Sequence, residues 1–186
     1  MLKLITALAF STTLFATSAF AQKAAVKNNS ITQEEVLAAQ QAWGKALVQI
    51  SQDFEKGGIA KATETAKSVL DAAYGYDDGP VLFKPTLTSG AQTFRTTYEG
   101  ALAYFVGNNS KFPQDSGFAL KGWRKTEIKN SALYLNGDLA ISMGNVMITN
   151  KDGQVTTVDK TWGYKKDTDG KIKIVLHHSS LPYSAK

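Results

Sequence analysis

The residues best equipped for chemistry stand near the C-terminus, in the run His177-His178-Ser179-Ser180. Imidazole exchanges a proton near neutrality, and a hydroxyl donates and accepts hydrogen bonds at once, so this is the densest cluster of groups able to do acid–base and hydrogen-bond chemistry. These are the only two histidines among 186 residues, and there is no cysteine. A thiolate nucleophile, a disulfide framework and a cysteine-held metal are therefore excluded, as is an all-histidine catalytic zinc, which takes three imidazoles. The apolar stretch Ile172 to Leu176 leads into the run and reads as a strand, on which alternate side chains share a face. His177 and Ser179 then point one way, His178 and Ser180 the other, and one pair at most enters a given pocket. Strict alternation groups His178 with Ile172, Ile174 and Leu176, and His177 with Lys171 and Lys173. A β-bulge within the apolar stretch would reverse that assignment. A plainer reading also stands: a strand end whose hydroxyls only satisfy the backbone.

Other candidates are scattered. Tyr104 sits on a short helical stretch with Gly100 one turn before it, which either leaves space beside the ring or lets another element approach. Thr86 follows Pro85 on an extended segment, where a β-branched residue needs no further explanation. Asp159 lies mid-strand in Val158-Asp159-Lys160-Thr161. A carboxylate there needs a pocket or a cross-strand partner, and an ion pair is the expected arrangement. Lys121, Arg124, Lys125, Lys160, Lys165, Lys166, Lys171 and Lys173 are expected on a positive surface that draws in small anions, in keeping with a net charge of +5. No phosphate loop, dinucleotide fingerprint, zincin helix or calcium loop is present.

The elements that must position these residues are legible in outline. Residues 1–21 read as a signal peptide: Lys3, an apolar run from Leu4 to Phe15, then Ala19-Phe20-Ala21 as the cleavage site. This predicts a periplasmic or secreted protein, away from nucleic acid and not held in a membrane after cleavage. Residues 22–31 read as a flexible polar arm and 32–186 as a single domain. Thr32-Gln33-Glu34-Glu35 has the form of a capping box. Val36, Ala39, Trp43, Leu47, Ile50 and Phe54 follow at helical spacing, Gly57-Gly58 breaks the pattern, and a second helix runs from Ile59 to about Tyr74. Val81 to Thr86 is extended. Thr96-Thr97-Tyr98-Glu99 signals another capping box and a short helix ending at Gly107. Strands are predicted over 118–129, 132–136, 138–149, 155–166 and 171–180, with Asn136-Gly137 the sharpest hairpin signal. Helices first and a meander last give an α+β fold, with N-terminal helices packed on an antiparallel sheet. The long strands predict strong curvature, and hence a cone with an internal pocket.

Four segments in this order carry a resemblance: Val81-Leu82-Phe83-Lys84-Pro85-Thr86, Tyr98 to Phe105, Val158-Asp159-Lys160-Thr161-Trp162, and Leu176-His177-His178-Ser179-Ser180-Leu181-Pro182. Over roughly Ile31 to Tyr183 the chain resembles the iota class of carbonic anhydrases, within the nuclear transport factor two-like fold. The resemblance implies reversible hydration of carbon dioxide to bicarbonate. It implies a pocket of Thr86, Tyr104, His177 and Ser179, with Thr86, Tyr104 and Ser179 holding substrate, and so favours the His177–Ser179 face. Members of the class are described both with and without metal. Histidines pointing to opposite faces leave one imidazole for the pocket, so catalysis without metal or other cofactor is expected here. His177, with an ordinary pKa of about 6.5, is then the expected proton acceptor. The fold often pairs with a second copy, which predicts a homodimer. Two other classes stay open: an isomerase or cyclase using Asp159 or a histidine as base in a larger apolar pocket, and a non-enzymatic binding or oligomerisation module of the kinase-association type.

Overall fold

The computed structural model describes residues 29–185. The expected signal peptide and residues 22–28 of the expected arm lie outside the described residues. The chain forms α1 (Gln33–Ala73), β1 (Leu82–Lys84), α2 (Tyr98–Val106), β2 (Trp123–Asn136), β3 (Leu139–Asn150), β4 (Val155–Lys166) and β5 (Ile172–Ser180), with 3₁₀ turns at Gly90–Gln92 and Phe118–Leu120.

Helix α1 starts where the capping box places it. Thr32 Oγ1 accepts from the Glu35 N–H, and Glu35 Oε2 accepts from the Thr32 N–H. Gly58 takes φ 67°, outside helical geometry, and breaks the helix as the Gly57-Gly58 pair predicts. The break is a reversal. Trp43 and Tyr74 would stand about 47 Å apart on a straight helix, yet the Trp43 indole N–H donates to the Tyr74 hydroxyl over 3.0 Å. The short helix α2 is capped by Thr97, whose side chain accepts from the Gly100 N–H. The expected Thr96–Glu99 box does not form, because Glu99 instead accepts from Asn109 and Lys111.

The sheet order is β1-β5-β4-β3-β2. Strands β2 to β5 form the expected antiparallel meander. Two predicted strands merge into β2 across an irregularity between Asn130 and Ala132, and 118–120 is a 3₁₀ turn instead of strand. The fold is α+β, but the sheet is mixed where an antiparallel one is expected, because β1 runs parallel to β5. The cause is the end of α1. The Gly75 N–H bonds to the Ile174 carbonyl, which lays the following segment along β5 in β5's own direction. Nor does the sheet close into a strongly curved cone. It stays open, with β1 and β2 as edges. Both halves of α1 pack on one face, where Trp43, Leu47 and Leu70 share a core with Val146, Ile148, Val158, Trp162 and Tyr164.

Candidate functional site

The orientation of the histidine–serine run is decided by one extra residue. Gly163 of β4 pairs with Leu176 of β5, but the next residue, Tyr164, pairs with Ile174, so Val175 is bulged out of the ladder. The bulge shifts the phase of the strand. Ile174 is buried on the core side, and after the bulge His177 and Ser179 are buried there too, at 2% and 1% exposure, while His178 is exposed. Strict alternation is thereby corrected, and the bulged reading holds. Gly163 makes room for it, since a Cβ at that position would lie 2.9 Å from the Leu176 Cβ.

Three of the four expected pocket residues come from three elements and meet beside β1. Thr86, just past β1, places its hydroxyl 2.5 Å from the Ser179 hydroxyl. Lys84 of β1 donates to the Ser179 carbonyl over 3.0 Å. Tyr104 of α2 packs edge-on to Phe83 and stacks on Phe118. Its hydroxyl is buried and makes no hydrogen bond. Burial pushes the phenol well above its ordinary range, and the Thr86 hydroxyl and the Leu87 and Thr86 backbone N–H groups, which approach it without normal hydrogen-bond geometry, offset this only in part. A cavity of about 30 Å³ opens beside Tyr104, with Leu87, Asp115, Phe118 and Lys121 in its wall. A space of that order admits about one or two water-sized molecules. Arg95 holds the Asp115 side of the wall, its Nη2 2.9 Å from both carboxylate oxygens. Gly100 serves close approach and not the Tyr104 ring, because a Cβ there would meet Arg95, Phe112 and Thr97.

His177 occupies a deeper compartment. Phe83 stacks on its ring at 4.4 Å, and Trp43 and Trp162 close the sides. Both ring nitrogens are engaged: the Tyr74 hydroxyl lies 2.8 Å from Nδ1, and Lys160 Nζ lies 2.6 Å from Nε2. No bond joins the imidazole to Thr86, Tyr104 or Ser179. Burial first, then the nearby Lys160 and His178, push the His177 pKa well below 6.5, so the imidazole is neutral at neutral pH. This corrects the expectation of an ordinary histidine titrating near 6.5.

Lys160 is the residue that sequence reasoning misplaced. It was expected on a positive surface and is instead 5% exposed, with Nζ over the faces of Trp43 (4.8 Å) and Trp162 (5.2 Å). Burial lowers its pKa to about 7. The signal lay in the alternation: Val158, Lys160 and Trp162 share one strand face, and two of the three are apolar. Tyr74 was missed as well, since the end of a helix gives no sign of what it will touch. Asp159 is exposed on the opposite face. Its partner is the Asn145 amide, donating over 2.8 Å, instead of the expected cation. A carboxylate on the outer face cannot act as a base beside Thr86, Tyr104 and Ser179 on the inner one; Asp159 instead lines a shallow outer-face depression with Asn145 and His178. Among the described residues, no three His, Asp or Glu side chains converge as a metal-ligand set.

Residues 34–181 match the family model of metal-independent carbonic anhydrases. The chain is 58% identical over 161 residues to a metal-independent carbonic anhydrase of Nostoc sp. (strain PCC 7120), covering 87% of this chain and 78% of the relative. It is likewise 58% identical to the iota-carbonic anhydrase from a cyanobacterium solved with bicarbonate. The TM-score is 0.86, over 88% of this chain and 99% of that one. A putative calcium/calmodulin-dependent protein kinase II association domain from Xanthomonas campestris aligns more distantly, at 25% identity and a TM-score of 0.53, over 81% of this chain and 88% of that one.

Proposed function

Because the chain belongs to the metal-independent carbonic anhydrases, and so hydrates carbon dioxide reversibly to bicarbonate, we propose that this reaction takes place at Thr86, Tyr104 and Ser179, backed by His177. The observation that carries the assignment is the buried, unpartnered Tyr104 hydroxyl beside the Thr86–Ser179 hydroxyl pair. A buried hydroxyl without a partner costs about 1–3 kcal/mol, and three elements converge to keep this one in place.

The chemistry follows from what each group offers. Hydration needs a water held against the carbon and donors for the charge that develops on oxygen. Zinc enzymes obtain the nucleophile by lowering the pKa of bound water. Here the same end rests on positioning and on preorganised donors. Tyr104 keeps its proton at neutral pH and so donates to the developing oxyanion; it is no tyrosinate. In the Thr86–Ser179 pair one hydroxyl donates to the other, which leaves one O–H and several lone pairs to orient water and a bicarbonate oxygen. The cavity beside Tyr104 is of the order of one triatomic molecule, too small for the apolar substrate of an isomerase; Thr86 and Ser179 are not in its wall, so Tyr104 is its link to the hydroxyl pair. Lys121 at its wall and Lys84 behind Ser179 favour an anionic product. His177, neutral and held well below its ordinary pKa, can relay the released proton but does not store it.

We further propose export of the chain by its N-terminal signal. A homodimer through the outer sheet face is supported by the exposed side chains of Ile141 and Met143.

Stopped-flow hydration of carbon dioxide by the chelator-treated protein tests the site. Activity is expected to survive chelation and to fall at least tenfold in Thr86→Val and Ser179→Ala. Parental turnover in both folded variants would place the reaction elsewhere.

A further inference from the structure

The hydrogen bonds around His177 have only one order that satisfies every donor. An indole N–H donates and never accepts, so the Tyr74 oxygen is the acceptor from Trp43. The Tyr74 O–H has no other acceptor among the hydrogen bonds of the described residues, so its proton is directed at His177 Nδ1, 2.8 Å away. A neutral imidazole that accepts at Nδ1 carries its hydrogen on Nε2. Nε2–H points at Lys160 Nζ, 2.6 Å away. An ammonium has no lone pair with which to accept. Resting on the site assignment above, we propose that Lys160 is a neutral amine in the resting protein, accepts the Nε2 hydrogen of His177, and holds the proton released when carbon dioxide is hydrated.

The surroundings fit both states of such a group. No carboxylate pairs with Lys160 among the described residues. The titratable groups coupled to it are His177 and His178 of β5, with Tyr74 beyond His177 and Lys84 beyond His178; the neighbouring Asp159 of β4 is exposed on the opposite face and bonds Asn145, so none serves as a counter-ion. Burial without a counter-ion favours the amine, in line with a pKa near 7. The faces of Trp43 and Trp162 favour the ammonium once it forms. Opposed influences of this kind keep a lysine close to its switching point.

The step balances. A C–O bond forms between water and carbon dioxide and one water O–H bond breaks. That proton adds to the Tyr74–His177–Lys160 chain, which ends with a third N–H bond on Lys160 and bicarbonate carrying the negative charge. Donors point from Tyr74 towards Lys160, so the imidazole hydrogen passes from Nε2 to Lys160 as Nδ1 gains the one from Tyr74. Both imidazole nitrogens are occupied, so the proton from water enters at the Tyr74 oxygen, which takes it up as its own O–H proton moves to Nδ1 and so ends as it began; Tyr74 borders the same Phe83 ring as Tyr104. Lys160 touches none of the three hydroxyls and acts through His177.

Two measurements on the full folded protein test this. In protein labelled at the lysine side chain, the ¹⁵Nζ resonance missing from Lys160→Met should titrate near neutrality and report an amine at pH 8.5, where the other lysines remain ammonium. An ammonium at that pH overturns the proposal. In stopped-flow hydration, Lys160→Met should lose on the order of 10²-fold in kcat/KM and the inflection near pH 7. Lys160→Arg, permanently charged, should fail to restore either. If Thr86→Val and Ser179→Ala lose activity while Lys160→Met keeps the parental rate and pH profile, Lys160 has no such role although the site stands. If the hydroxyl variants are also unaffected, the site assignment itself falls.

Discussion

Replacing Tyr104 by phenylalanine should make the protein more stable and less active. The hydroxyl is buried and unpartnered, whereas the ring is fixed by Phe83, Phe105 and Phe118 and loses nothing in the exchange. Relief of an unsatisfied buried hydroxyl is worth about 1–3 kcal/mol. Taking the lower end, a gain of about 1 kcal/mol corresponds to a Tm rise of about 2–4 °C for a chain of this size. Loss of a donor to a developing oxyanion costs on the order of 10²-fold in turnover. Thermal unfolding by circular dichroism and stopped-flow hydration on the same preparation read both quantities. A variant that melts lower than the parent would mean that the hydroxyl has a structural partner after all. One that melts higher but turns over normally would mean that the hydroxyl is idle. Either result refutes the reasoning.

Gly163→Ala should cost about 1–3 kcal/mol through overpacking, because the added Cβ falls 2.9 Å from the Leu176 Cβ. It should cost activity too, since the bulge that turns His177 inward is the feature it disturbs; parental activity with parental Tm would show that the bulge tolerates a side chain. Stability should also rise with pH between about 7 and 10.5. Lys160 releases its proton near 7 when folded and near 10.5 when unfolded, so the unfolded chain binds more protons across that window. His177, held well below 6.5, adds a further loss of stability as pH falls through its ordinary value. Urea unfolding at pH 7 and 9 should show the rise in the parent and a flatter response in Lys160→Met.

What the sequence disclosed followed the range of each interaction. The Thr32–Glu35 cap, the break at Gly58 and the Asn136-Gly137 turn are local, and all three stand where the residues put them. The parallel pairing of β1 with β5 joins segments nearly a hundred residues apart, and no periodicity within either encodes it. The face of His177 was undecidable for a related reason: one bulged residue inverts every later side chain, and Val175 looks like any other apolar strand residue. Thr86, Tyr104 and Ser179 lie on three elements with no shared spacing, so family resemblance named them and the fold placed them together. Lys160 is legible in the alternation. A lysine between Val158 and Trp162 on one strand face is a charge aimed at a core, although residue type alone groups it with the surface cations.

The doubling back of α1 at Gly58 has a mechanical consequence. Its first half supplies Trp43 and its far end supplies Tyr74, and the two meet at a single oxygen that bonds the imidazole on β5. The helix pair works as a clasp whose tips close on the site. If the second half opened as a separate unit, residues 59–74 would exchange their amide hydrogens early, and His177 would lose its orientation while the meander of β2 to β5 stayed intact. The fragility of the enzyme would then be set by the latch of the clasp, well before the sheet itself gave way.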